Sequence, residues 1–297
     1  MKKLLLLGAN GQLGRTFLSH FRDSDLAGKY FLRAVDIDEV DLTRKEPILS
    51  FLSSYEPSLI INCAAYTAVD VAETEFELAK KINDEAVGSL SAWASSNLCR
   101  MLHISTDFVF DGSKKEPYLP TDQASPIGVY GKTKLAGEKH ILKSLSGGVV
   151  VRTSWLYSEF GQNFVKSMIR LMTEKPELSI ISDQIGSPTS THSLVHLLFQ
   201  LVEHDSFSGI LHWCDGASIS WYDFAVEIQR QAFERGLLTG AIPLKPITTE
   251  EYPTLAARPC YSVLDRGDTL QQFDINALDW RAELGKVINR ISESSGG

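Results

Sequence analysis

Leu4-Leu-Leu-Leu-Gly8-Ala-Asn-Gly11-Gln-Leu-Gly14 decides the fold. Four leucines meet a glycine at once and an amphipathic stretch follows, so the segment reads as a buried strand, a glycine turn and the start of a helix. A strand apolar on both faces belongs to a parallel sheet covered by helices. In this context glycines let backbone amides approach a pyrophosphate at the helix N-terminus. Gly8, Asn10, Gly11, Gln12, Leu13 and Gly14 are therefore candidate dinucleotide contacts. Asp36 stands 22 residues after Gly14 at the end of the second candidate strand, where a carboxylate can accept hydrogen bonds from a ribose. The spacing is Gly-x-x-Gly-x-x-Gly, not the commoner Gly-x-Gly-x-x-Gly.

Working outward, short apolar runs alternate with helical periodicity through the first half. Strands are expected at 3–7, 30–35, 59–63, 101–105 and 149–153, and helices at 12–21, 45–54, 75–96 and 129–144. After Thr153 the rhythm is irregular. Helices fit 163–172, 190–203, 221–234 and 277–292, short strands fit 179–181 and 210–213, and Pro- and Gly-bearing connectors separate them. The expected architecture is α/β, a Rossmann-type doubly wound parallel sheet with a smaller C-terminal substrate-binding lobe. Residues 1–155 form the dinucleotide-binding part. Residues 156–297 form mainly the substrate lobe, with some segments returning to the first.

Composition narrows the function. With 29 basic and 37 acidic residues among 297, the formal charge is −8, and no basic run offers a surface for nucleic acid. The four cysteines, at 63, 99, 214 and 260, lack Cys-x-x-Cys spacing and are read as free thiols rather than metal or redox ligands. The run Leu4 to Leu7 is far too short for a membrane span and reads as a strand rather than a signal peptide. A cytoplasmic enzyme with no membrane partner is expected.

Tyr130 and Lys134 stand four apart in a candidate helix and so share one face. An ammonium beside a phenol favours phenolate and brings a group of reference pKa about 10 nearer neutrality. Thr106 ends a candidate strand, where open α/β sheets bind their ligands. Trp155 follows the strand 149–153, and its ring can cover a sugar.

These segments resemble the extended short-chain dehydrogenases/reductases, and within them the dTDP-4-dehydrorhamnose reductase family. Besides the opening glycines, the resemblance rests on 62–73, Ile104-Ser-Thr-Asp-Phe-Val-Phe-Asp-Gly112, Tyr130-Gly-Lys-Thr-Lys-Leu-Ala-Gly-Glu138, Arg152-Thr-Ser-Trp-Leu-Tyr157, Asp183-Gln-Ile-Gly-Ser-Pro-Thr189 and Ala257-Arg-Pro259. It spans essentially the whole chain. It implies NADH- or NADPH-dependent reduction of the C4 ketone of a dTDP-linked 4-keto-6-deoxyhexose. Tyr130 would protonate the alkoxide, Lys134 would lower the Tyr130 pKa and bond the nicotinamide ribose, and Thr106 would hold the carbonyl oxygen. Asp41, Leu42, Ala64, Ala65 and Tyr66 are further cofactor candidates. Asp107, Trp155, Asn163 and Arg258 are the substrate candidates beside Thr106.

Related dehydratases carry Asp-Glu after the catalytic Thr, whereas this chain has Asp107-Phe108, and a phenyl ring cannot act as a base. Epimerases keep the Tyr and Lys, and the regulatory subunit of methionine adenosyltransferase shares the fold as a binding protein, so both remain alternatives. Some relatives bind Mg2+ at a dimer contact through glutamates. This chain offers Arg15-Thr16, Ser190-Thr191-His192 and the stretch around Arg290 there, so no metal is expected. Either a monomer or a homodimer fits.

Overall fold

In the computed structural model, which describes residues 1–144 and 147–295, six parallel strands form the central sheet. Their order is Gly209–Trp213, Val149–Thr153, Arg100–Thr106, Leu59–Asn62, Lys2–Leu7, Tyr30–Val35. The leucine run does what its pattern implies: Leu4 and Leu6 pack on one face with Phe17 and Leu198, while Leu5 and Leu7 pack on the other with Ile48 and Val87. Side chains of alternate residues leave a strand on opposite sides, so one apolar run feeds two cores. The chain reverses its winding between Lys2–Leu7 and Leu59–Asn62, the place where such sheets bind nucleotides.

Helices Gln12–Phe21, Val129–Ser144 and Trp221–Glu234 occupy the spans expected from periodicity. The expected helix 75–96 is instead three pieces: Phe76–Lys80, a π-helical turn Lys81–Glu85, and Ala86–Ser96. The cause is Asn83, buried inside the turn. Its Oδ1 accepts from the Tyr66 N–H at 2.9 Å, and its Nδ2 donates to the Tyr66 carbonyl at 3.1 Å and to Thr133 Oγ1 at 3.2 Å. One π turn re-aims a side chain that the α repeat would have placed elsewhere.

Beyond Thr153 the chain contributes to both cores. Helix Thr191–Glu203 packs against Gln12–Phe21, and strand Gly209–Trp213 becomes the edge of the main sheet. A separate core of Phe224, Ile228, Trp280 and Leu284 holds the remaining helices. Among the described residues, no helix is long and apolar enough to cross a membrane.

Candidate active site

A cleft of about 830 Å³ opens at the C-terminal ends of the strands. It is lined by every candidate cofactor and substrate residue except Tyr66. That residue does not line the cleft: its hydroxyl donates to Glu75 at 2.8 Å, and its backbone N–H and carbonyl are both bonded to Asn83 beside the Ala64–Ala65 wall.

The three fingerprint glycines do different work. Gly8 has φ +78°, and a Cβ there would lie 2.6 Å from the Ala64 nitrogen. At Gly14 a Cβ would lie 2.2 Å from the Gly8 carbonyl oxygen, so only glycine lets the helix close on the turn. Gly11 meets nothing closer than 3.4 Å, and the space before it is the cleft itself. It also heads the helix as an N-cap with no side-chain hydrogen bond, and no acid stands in the first turn. The N–H groups and positive end of the dipole are left for an anion. This arrangement fits the pyrophosphate of a dinucleotide.

Asp36 accepts from the Asn10 N–H and the Ile37 N–H, both at 2.8 Å, which fixes its carboxylate at the rim. Asp41 accepts from the Thr43 N–H and hydroxyl, and these bonds hold its carboxyl below the usual range. Arg33 pairs with Glu39.

At the other end of the cleft, Thr106 ends its strand with Asp107 buried beside it. The Thr106 hydroxyl lies between the Asp107 carboxylate, 3.1 Å away, and the phenol of Tyr130, and it accepts from the Phe108 N–H. Phe108 meets the Tyr130 ring edge to face. Burial pushes Asp107 up to about 6, although the Ser262 and Thr106 hydroxyls oppose it.

The surroundings of Tyr130 pull its phenol in both directions. Burial raises its phenol to about 12, the bond with Thr106 lowers it, and the charge of Asp107 raises it again. Lys134 does not offset this, because its Nζ donates to the Ile104 carbonyl at 2.6 Å and sits 3.4 Å from His103 Nε2. Lys134 is itself lowered to about 8 by burial.

Tyr130, Lys134 and Glu138 are carried on one helix, each four residues after the last. Glu138, fully buried, receives both Arg152 Nε at 3.0 Å and Nη2 at 2.7 Å, and the Ser105 hydroxyl as well. The helix is thereby tied to the two strands that flank the cleft. Gly131 and Gly137 allow close approach, since Cβ atoms there would fall 2.1 Å from the Phe108 oxygen and 2.3 Å from the Asn83 oxygen.

Of the substrate candidates, Trp155 adopts φ +46° and stacks on Trp221, with ring centroids 3.5 Å apart. Asn163 is the N-cap of Phe164–Glu174, accepting from the Lys166 N–H, while its Nδ2 donates to Gln12 Oε1 at 2.9 Å. Gln12 therefore links the glycine turn to the second lobe, a role its spacing did not announce. Arg258 makes a two-point ion pair with Asp70, at 2.6 and 3.1 Å. The sequence reading missed Trp221 and Asn83. Trp221 follows Ser220, an N-cap with a full capping box, which locates the helix start but not the direction of the ring.

The family model of the RmlD substrate binding domain matches residues 1–293. A dTDP-4-dehydrorhamnose reductase of Aggregatibacter actinomycetemcomitans is 39% identical over 292 residues, covering 97% of this chain and 98% of that one. The crystal structure of a dTDP-4-dehydrorhamnose reductase from Clostridium acetobutylicum superposes with a TM-score of 0.90 at 38% identity, over 97% of this chain and 99% of that one. The Bacillus anthracis dTDP-4-dehydrorhamnose reductase in complex with NADP gives 0.89 at 34% identity, over 98% and 100%. With the glycine turn, the Thr106–Tyr130 contact and Lys134 gathered in one cleft, the chain belongs to the dTDP-4-dehydrorhamnose reductase family.

Proposed function

We propose that this chain reduces the C4 ketone of dTDP-4-dehydro-6-deoxy-L-mannose to give dTDP-L-rhamnose, using NADH or NADPH. The observation that supports this is the gathering of Thr106, Tyr130 and Lys134 in the cleft that also holds the glycine turn. Residues Gly8 to Gly14, Asp36, Asp41, Leu42, Ala64 and Ala65 would hold the nicotinamide dinucleotide, which supplies hydride when bound. Thr106 and Tyr130 offer two donors to one ketone oxygen, where charge develops, and Tyr130 passes its proton to that oxygen. Lys134 holds the ribose beside them. Trp155 and Trp221 cover the sugar, and Arg258 engages the diphosphate with Asp70 as its counter-ion. Asp107 is followed by Phe108, which favours reduction over dehydration. We assign dinucleotide binding to 1–155 and sugar binding chiefly to 156–297, with 191–213 returning to the first unit. Four free cysteines fit a reducing compartment such as the cytoplasm. A panel of dTDP-, UDP- and GDP-linked 4-keto-6-deoxysugars tests the reading: NAD(P)H oxidation should be fastest with the dTDP substrate, and a UDP or GDP preference would overturn it.

Cofactor choice follows from charge at the rim. Asp36 lines the cleft at the ribose position with Asp38 and Glu39 next in sequence, while Arg33 pairs with Glu39, so the 2′-phosphate of NADPH finds little compensation. NADH should work at least comparably. A kcat/KM preference for NADPH above tenfold would refute this.

No divalent cation enters the scheme. Around Thr16 and Thr191-His192, Thr16 Oγ1 and Thr191 Oγ1 are 2.7 Å apart, and His192 bonds to His20 Nε2 through its Nδ1 at 2.7 Å and to Glu159 through its Nε2. Hydroxyls and imidazoles are poor ligands for Mg2+, which needs hard oxygens. Activity and solution mass should be unchanged by EDTA; loss of activity that Mg2+ restores would contradict this.

A further inference from the structure

The side-chain amide of Asn163 is fixed from both ends. Its Oδ1 accepts from the Lys166 N–H at 3.1 Å as the N-cap of helix Phe164–Glu174, and its Nδ2 donates to the Ser158 carbonyl at 2.8 Å. Turning the amide round would set an acceptor against a carbonyl and a donor against an N–H. The other proton of Nδ2 goes to Gln12 Oε1 at 2.9 Å. Only an acceptor can stand there, so the orientation of Gln12 is fixed in turn. Ser158 does not decide it, because its one hydroxyl proton can go to Gln12 Oε1 at 3.1 Å or to the Phe160 carbonyl at 3.0 Å. With Oε1 committed, Gln12 Nε2 keeps two protons, and among the described residues it has no hydrogen-bond partner. Gln12 is the first residue of helix Gln12–Phe21, follows the open position Gly11 and lines the cleft.

We propose that Asn163 is a positioning residue for the dinucleotide: it holds Gln12 Oε1 toward the second lobe and so leaves the Nε2–H groups to donate to the pyrophosphate. This rests on the reading of the glycine turn as the dinucleotide site, and extends it to what aims a side chain there. Orientation decides the sign of the contact. A pyrophosphate at neutral pH offers only acceptors, so Nε2 attracts it, whereas a reversed amide would set Oε1 against it. The loop that carries the clasp also confines the stem of Gln12. Gly161 has φ +60°, and a Cβ there would lie 3.0 Å from Gln12 Cγ. An amide held in place before the cofactor arrives loses less freedom when it binds, which favours affinity.

The test measures NADH and NADPH affinity by fluorescence titration of the intact protein without sugar, so it is independent of which sugar the enzyme reduces. Gln12→Met, which removes the donors and adds no charge, should weaken binding about tenfold or more. Asn163→Asp caps a helix as well as asparagine does, but it meets Gln12 with an acceptor and should turn the amide round. Its affinity should fall by a similar factor. In the Gln12→Met background the same substitution should cost about twofold at most, because no amide is left to turn. Parent affinity in either single variant would overturn the proposal. So would an equal loss from Asn163→Asp in both backgrounds, which would mean that the new carboxylate repels the cofactor directly. Should Asn163→Asp not fold, Asn163→Ser, which caps the helix without reaching Gln12, takes its place in the same cycle with a loss of about threefold expected. A parent that binds neither cofactor would remove the dinucleotide reading as well, whereas a binding parent with an indifferent Asn163 would remove only this role.

Discussion

Tyr130→Phe should bind reduced cofactor as the parent does yet turn over more slowly by a factor on the order of 100 or more. The substitution removes one oxygen from a buried ring that packs against Phe108, so the shape of the cleft survives while its proton donor is gone. Thr106 would still offer its hydroxyl to the ketone, which sets a floor under the loss. Fluorescence titration of NAD(P)H together with steady-state rates separates the two effects. A wild-type rate from the purified variant would remove Tyr130 from the chemistry.

The largest effect on stability is expected at Glu138. Arg152 and Glu138 are both essentially buried and joined by two hydrogen bonds, so Glu138→Ala strands a guanidinium in the core. Breaking such a pair costs about 3–5 kcal/mol, and Tm should fall on the order of 10 °C. Replacing both partners by apolar residues, Glu138→Leu with Arg152→Met, should cost less than Glu138→Ala alone, because no buried charge is left behind. Calorimetry of the three proteins checks this. If Glu138→Ala lost under 1 kcal/mol, the helix carrying Tyr130 and Lys134 would not depend on this anchor.

The stretch Leu4 to Gly14 could be read so far because each signal in it is local: an unbroken apolar run, then glycines that the turn requires. The same holds for helix Val129–Ser144, whose register already places Tyr130 above Lys134. Contacts between distant segments were not legible. Neither the bonding of Tyr66 to Asn83 nor the pairing of Arg258 with Asp70 follows from spacing, because each joins residues separated by 17 or 188 positions. The π turn was hidden for a related reason, since the partners of its Asn83 are Tyr66 and Thr133, which lie 17 and 50 positions away. Helical spacing set an ammonium beside a phenol; it did not show that Lys134 also donates to the Ile104 carbonyl or that burial acts on Tyr130.

Reduction, as opposed to epimerisation or binding alone, is tested most directly by the stoichiometry of cofactor use. Purified enzyme given limiting dTDP-4-dehydro-6-deoxy-L-mannose and excess NADH or NADPH should oxidise one equivalent of cofactor per sugar and yield dTDP-L-rhamnose. Conversion of the sugar with no net loss of reduced cofactor, or no conversion at all by correctly folded protein, would contradict the reductase assignment.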